Sequence, residues 1–386
     1  MITGIINGTV VTNRKKEKKN VYFENGKILA VTSDFLNADT TFDATGRYVA
    51  PGFVDIHVHG ALGYAFTDAT EEAFFAIARD HAKHGTGTLI PSLQTSPAPL
   101  LVETTRVFEQ IKHKKHGGAN MPGLHFEGPF VSPNQVGAMS KSDVRQRFEK
   151  DEYENLLRIS DSILLFAAAP ELEGLENFAE AMKKHGIRMS ICHSDADGEC
   201  AKKAFALGFD HITHLYSCMT TVHRKNAYRH TGIIEQAYLN DNVTVEVIAD
   251  GKHLPPDLLK LIYKIKGAER ICLITDAVFA GIPEGTVTKF TGNDIIIEDG
   301  VAKLLDRSAF AGSVAYCDLL VRNMVQLADV PLEDAVYMMT ATPARQVGLT
   351  SKGSIAKGLD ADLIIFDDDI NIEMNIIGGE VAYSKI

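Results

Sequence analysis

The chain has 386 residues, 45% of them hydrophobic and 23% charged, a globular composition that excludes disordered, collagen-like and coiled-coil classes. At roughly 100–200 residues per domain, this length predicts two domains, or one barrel-sized domain with an accessory layer. Lys and Arg number 39 against 50 Asp and Glu, and the net charge of −11 argues against a nucleic-acid partner.

No apolar run approaches the roughly 18–20 residues of a membrane helix, and residues 1–11 lack a basic leader, so a cytoplasmic protein without a membrane partner is expected. The five cysteines (Cys192, Cys200, Cys218, Cys272, Cys317) form no Cys-x-x-Cys pair, which predicts free thiols rather than a disulfide framework. Along the chain, residues 4–12 read as a strand, 14–19 as a solvated charged tip, and 21–31 as a hairpin around Asn25-Gly26.

Eight strand-like runs follow at 53–59, 88–93, 123–127, 163–168, 187–193, 211–216, 243–249 and 271–276. Stretches with helical apolar spacing, such as 71–84 and 99–112, separate them. Parallel neighbours need a helical crossover, and eight is the number at which such a sheet closes, so a (β/α)8 barrel is expected, with a doubly wound open sheet as the alternative. An inserted hairpin around Asp299-Gly300 (293–305), helices at 316–328 and 332–339, and a second β signature at 352–366 and 381–383 complete the chain. The expected architecture is α/β: a TIM-like (β/α)8 barrel over 51–345, with a small β-sandwich formed by both termini, 1–50 and 346–386.

Polar residues favour the barrel. Strand alternation puts Asp55, His57 and His59 on one face, with Val54, Ile56 and Val58 facing the helices. Glu127 ends the third run, His193 lies in the fifth, His214 in the sixth and Asp276 ends the eighth. Barrel enzymes build their sites at strand C-terminal ends, and converging His, Glu and Asp there suit a divalent metal. His211, three residues before His214, is expected on the opposite face. His81, His84, His113, His116 and His185 are expected to be solvated at helix ends, and His125 to be packed one layer below Glu127.

These residues sit in PGFVDIHVHG (51–60), GLHFEGPF (123–130), CHS around His193, THLY around His214, ADGKH around His253, TDA around Asp276, AGS (311–313) and TATPA followed by GSIAKGLDADLIIF (353–366). Together they resemble the amidohydrolase superfamily, and within it the branch that deacetylates acetamido sugar phosphates. The resemblance implies a hydrolase that frees acetate from N-acetyl-D-glucosamine 6-phosphate in amino-sugar catabolism. Glu127, His193 and His214 match the ligands of a primary metal, His57 and His59 those of a second, and Asp276 the general base and acid. One or two divalent ions are implied, with zinc first and iron, manganese or cobalt as alternatives, and a homodimer is implied as well.

His253 matches a substrate-binding histidine. The segment after the sixth run departs from the branch: Ser217-Cys218 stands in place of an Asn-Ala pair, and Arg224, Lys225 and Arg229 compete as the phosphate-binding cation, with an exposed loop as the alternative. Met139 stands where some relatives carry a side chain able to donate to the substrate carbonyl. These departures keep open a related substrate, such as N-acetylgalactosamine 6-phosphate or an unphosphorylated acetamido sugar, and another amidohydrolase activity on a cyclic or linear amide. A non-catalytic scaffold remains the alternative from another class, against which the retained His57, His59, Glu127, His193, His214 and Asp276 argue.

Overall fold

A computed structural model describes residues 1–386. Its centre is eight parallel strands: β1 (Phe53–Val58), β2 (Thr86–Gln94), β3 (Leu124–Glu127), β4 (Ile163–Ala168), β5 (Arg188–Ile191), β6 (Phe209–Ile212), β7 (Thr244–Val247) and β8 (Ile271–Leu273). They pair strictly in chain order. The ring closes just past β8, where Val58 bridges Ala277, the Asp276 amide donates to His57 O at 2.9 Å and the His59 amide donates to Ala277 O at 2.8 Å. A doubly wound sheet reverses its strand order at a switch point; sequential order with closure makes this a (β/α)8 barrel.

The alternation expected in β1 is interrupted. Pairing with β2 shifts register between Leu89↔Asp55 and Pro91↔Val58, so three steps along β1 match two along β2. Such a bulge re-aims the side chains beyond it. Val54 and Ile56 pack with Ile90, Cys272 and Ile274, whereas Val58 joins the large core between strands and helices. Asp55 does not join His57 and His59; it accepts from Thr275 Oγ1 at 2.5 Å and lies 3.9 Å from Cys317 Sγ on the helix Cys317–Gln326.

Both chain ends build two further sheets. Four strands from the N-terminus form one, and the other pairs Tyr48–Pro51 with Leu363–Phe366 antiparallel, Pro51 opposite Leu363. A separate cluster of 13 buried residues, including Ile5, Val21, Phe23, Val49, Leu363 and Ile376, fills the space between them. The strand expected over 4–12 breaks at Asn7-Gly8 into Thr3–Ile6 and Thr9–Thr12, which enter different sheets; a Cβ on Gly8 would meet Val49 Cγ2 at 2.6 Å. The charged tip is not a loop. Lys15–Lys18 is an edge strand exposed along its whole length, where its charges discourage further pairing.

The inserted hairpin is a three-stranded sheet, Val287–Phe290, Asn293–Glu298 and Val301–Leu304, packed on Ala138, Val278 and Phe279. No helix is long and apolar enough to cross a membrane.

Candidate metal centre

Six expected side chains meet at one mouth of the barrel. His57 lies on β1 and Glu127 is the last residue of β3, whereas His59, His193, His214 and Asp276 lie one to three residues beyond their strands. The backbone of His193 (φ 44°), His214 (φ 27°) and Asp276 (φ 48°) is left-handed. A residue with a Cβ adopts that conformation at a cost of about 1–3 kcal/mol, and it persists where surrounding structure holds it at a functional site. Here it turns each chain away from the strand direction and aims the side chain across the barrel mouth.

The donors form two groups, Glu127–His193–His214 and His57–His59–Asp276, each with its donor atoms within 4.8 Å of one another. In the first, Glu127 Oε1 lies 3.1 Å from His193 Nε2 and 2.9 Å from His214 Nε2, and the two imidazole nitrogens are 3.2 Å apart. In the second, His57 Nε2 and His59 Nε2 are 3.0 Å apart, and Asp276 Oδ1 is 3.5 and 3.2 Å from them. Glu127 also reaches the second group, with Oε2 at 3.3 Å from His59 Nε2.

Tautomers test whether a cation fits. His57 Nδ1 donates to Glu246 Oε2 at 2.9 Å, His59 Nδ1 to Ser92 O at 3.0 Å and His193 Nδ1 to Gln135 O at 2.6 Å. With that proton on Nδ1, each neutral ring turns a bare Nε2 lone pair inward. Facing lone pairs at 3.0 Å repel unless a positive charge lies between them. Donors on a tetrahedral ion at about 2.0–2.1 Å stand about 3.3 Å apart, so the spacing matches a divalent metal.

Electrostatics points the same way. Burial lowers the pKa of His59, but Asp276 and Glu127 outweigh it and raise it to about 9. For His57 burial is likewise the largest effect and is likewise overcome, by Glu246, Glu127 and Asp276, leaving it well above the ordinary histidine value. Burial raises Asp276, yet His57 and His59 bring it below the usual carboxylate value. The site therefore favours positive charge where its donors converge.

Sequence reasoning missed Glu246. It sits on β7 with no exposure, and accepts from His57 Nδ1, from His211 Nε2 at 3.1 Å and from the His214 amide at 3.1 Å. A lone carboxylate inside the apolar run VTVEVIA was the available signal. His211 correspondingly lies beneath the site rather than on the opposite face; His214 is past the end of β6, so counting faces from it fails. His125 is buried below Glu127 as expected, its Nδ1 2.9 Å from Ser92 Oγ. His81 is not solvated but fully buried, His84 stacks on Tyr316 at 3.6 Å and pairs with Asp318 at 3.1 Å, and His116 stacks on Phe75, while His113 and His185 are exposed.

A cavity of about 220 Å³ opens above the donors. Met139, Ser217, Cys218 and His253 line it, as does Gln94, which sequence reasoning did not single out. His253 is held by Asp250, Nδ1 to Oδ2 2.7 Å; burial lowers its pKa and Asp250 raises it further than that. Phe290 and Phe310, brought by the inserted sheet and the loop after it, form part of the wall. Arg224, Lys225 and Arg229 are not brought to the cavity. They lie on an exposed hairpin, His223–Lys225 paired with Tyr228–His230, where Arg224 is opposite Arg229.

The Amidohydrolase family model matches residues 48–382. N-acetylglucosamine-6-phosphate deacetylase of Mus musculus is 31% identical, over 95% of this chain and 92% of that protein. N-acetylgalactosamine-6-phosphate deacetylase of Escherichia coli O157:H7 is 30% identical, over 86% of this chain and 87% of that protein. Among solved structures, an aspartate-to-alanine mutant of N-acetyl-D-glucosamine-6-phosphate deacetylase from Mycobacterium smegmatis, in complex with N-acetyl-D-glucosamine-6-phosphate, is similar at a TM-score of 0.90. It is 27% identical, over 100% of this chain and 99% of that one.

Proposed function

The chain belongs to the amidohydrolase family, and from that premise we propose that it hydrolyses N-acetyl-D-glucosamine 6-phosphate to D-glucosamine 6-phosphate and acetate. The observation that carries this reading is the pair of donor groups joined by Glu127 at the floor of a cavity sized for one small molecule. Glu127, His193 and His214 hold the primary divalent metal, and His57 and His59 offer a second place beside Asp276. When bound, such an ion brings the pKa of a water from 15.7 toward about 7 and polarises the amide carbonyl. Zinc is the first choice for this nitrogen and oxygen set, and iron, manganese and cobalt suit it too.

Asp276 does the proton work. Held below the usual carboxylate range, it is ionised at neutral pH, accepts the proton of the attacking water and delivers it to the sugar nitrogen as the C–N bond breaks. The hydroxyl of the water stays with the acetyl carbon, so the products are acetate and the amine. His253, fixed by Asp250, donates to the substrate; Ser217 and Cys218 line the same cavity, and Met139 offers no donor to the carbonyl. No Lys or Arg lines the cavity, while Arg224, Lys225 and Arg229 stand exposed; we take the working unit to be a cytoplasmic homodimer whose hairpin supplies the phosphate-binding cation to the partner's cavity.

A second reading, N-acetylgalactosamine 6-phosphate as substrate, rests on the Escherichia coli relative, and Ser217-Cys218 in the cavity wall leaves it open. Acetate release from the two 6-phosphates and from N-acetylglucosamine decides among them. The expected order is N-acetylglucosamine 6-phosphate first and the unphosphorylated sugar last. Asp276→Asn is expected to lower kcat about 10²–10⁴-fold, and chelation to abolish turnover until a divalent ion is restored. Full activity in the Asn variant removes Asp276 from this role.

A further inference from the structure

Glu246 is a buried carboxylate that touches neither cavity nor solvent, yet it bonds to members of both donor groups. Both of its oxygens are engaged: Oε1 accepts from His211 Nε2, and Oε2 accepts from His57 Nδ1 and from the His214 backbone amide. His211 is in turn held through Nδ1 by Thr244 Oγ1 at 2.6 Å. No alternative acceptor is bonded to His57 Nδ1. Without Glu246 the fully buried ring has no reason to keep its proton on Nδ1, and a proton on Nε2 would occupy the lone pair aimed at His59 and Asp276.

Charge leads to the same residue. Glu127 and Asp276 balance one divalent ion, and a second ion brings two more positive charges among largely buried side chains. Glu246 is the remaining carboxylate bonded to a donor of this site. Its counterpart contacts at the primary group are weaker in kind, because it touches His214 only through the backbone amide.

Resting on the two-subsite reading above, we propose that Glu246 is the positioning residue that sets metal occupancy of the His57–His59–Asp276 subsite. It locks His57 with Nε2 bare and supplies the third carboxylate, so its loss empties that subsite before the Glu127–His193–His214 one. Comparable partners behind metal-bound histidines are worth about 10–100-fold in metal affinity.

The test strips wild type, Glu246→Gln and Glu246→Asp with chelator, then titrates each with Co²⁺ alone. Bound ions per chain are counted after gel filtration, with melting temperature measured in parallel. Wild type is expected to take two ions. The Gln variant, which loses the negative charge and leaves a single acceptor oxygen facing three donors, is expected to keep the first and to hold the second about 10–100-fold more weakly. The Asp variant is expected to fall between them. If Gln does not fold, Asp carries the test: its second ion must weaken more than its first, and equal weakening of both overturns the proposal. Binding of both ions by a folded Gln variant within about twofold of wild type overturns it as well. A wild type that takes a single ion sinks the two-subsite reading itself, before any variant is compared.

Discussion

Gln94 Oε1 is buried in the wall of the cavity without a hydrogen-bond partner, while its Nε2 donates to Thr67 Oγ1 at 3.1 Å. A buried, unpaired acceptor costs about 1–3 kcal/mol, and a ligand that donates to it recovers that cost on binding. Asp276 and Glu127 are both engaged with histidines, so Gln94 is the acceptor free to meet the acetamido N–H or a sugar hydroxyl. Gln94→Leu is therefore expected to raise KM about 10-fold or more with kcat less affected, and to leave the melting temperature nearly unchanged, because removing the orphaned oxygen offsets the lost bond to Thr67. Steady-state kinetics and a thermal melt on the same preparation check both halves. A fall in stability with unchanged KM would make Gln94 a packing residue.

Among the elements, the exposed hairpin His223–Lys225 and Tyr228–His230 carries Arg224, Lys225 and Arg229 without a carboxylate partner in the chain. Replacing Arg224, Lys225 and Arg229 together by Ala is expected to raise KM for the 6-phosphate at least about 10-fold, since a hydrogen bond to a charged group is worth about 1.5–3 kcal/mol. Turnover of the unphosphorylated sugar and the melting temperature are expected to stay as they were; equal loss on both sugars rules out a phosphate contact. The role of this hairpin was hard to read from sequence, because His-Arg-Lys flanking Asn226-Ala227 looks the same whether it faces its own cavity, a partner or water. The barrel was legible: eight apolar runs separated by helical spacing left few other closures, and His57, His59, Glu127, His193, His214 and Asp276 fell at run ends. What periodicity could not convey was local geometry. The bulge that separates Asp55 from His57 arises from pairing with β2, the left-handed turns at His193, His214 and Asp276 lie past the strands, and Glu246 matters only because β1 and β6 bring its three donors to it.

At the scale of the whole molecule, the metal separates two stability regimes. In the metal-free protein His57, His59 and His193 have raised pKa values and stay protonated below about pH 6.5 in both folded and unfolded chains, so they contribute no slope there. His81 behaves oppositely. Burial lowers its pKa to about 4, more than neighbouring Asp80 raises it, so the fold holds it neutral while the unfolded chain takes up a proton near 6.5. Its contribution is complete above pH 6.5 and is lost as pH falls through that window toward 4, at up to about 1.4 kcal/mol per pH unit. Asp55 runs the other way: burial pushes it up to about 6, so the fold holds a proton that the unfolded chain releases, and acidification down to its unfolded value near 4 favours the folded state. The two partly cancel in wild type, and only the difference between variants isolates each. Chelated His81→Leu is expected to lose less stability than wild type between pH 6.5 and 4.5, and chelated Asp55→Asn to lose more, read from melting temperatures across that range. Metal-loaded protein is expected to fall more steeply than either, because protons then compete with the ion for His57, His59, His193 and His214. If the His81 variant keeps the full wild-type slope, the buried imidazole is not the group that the fold holds neutral.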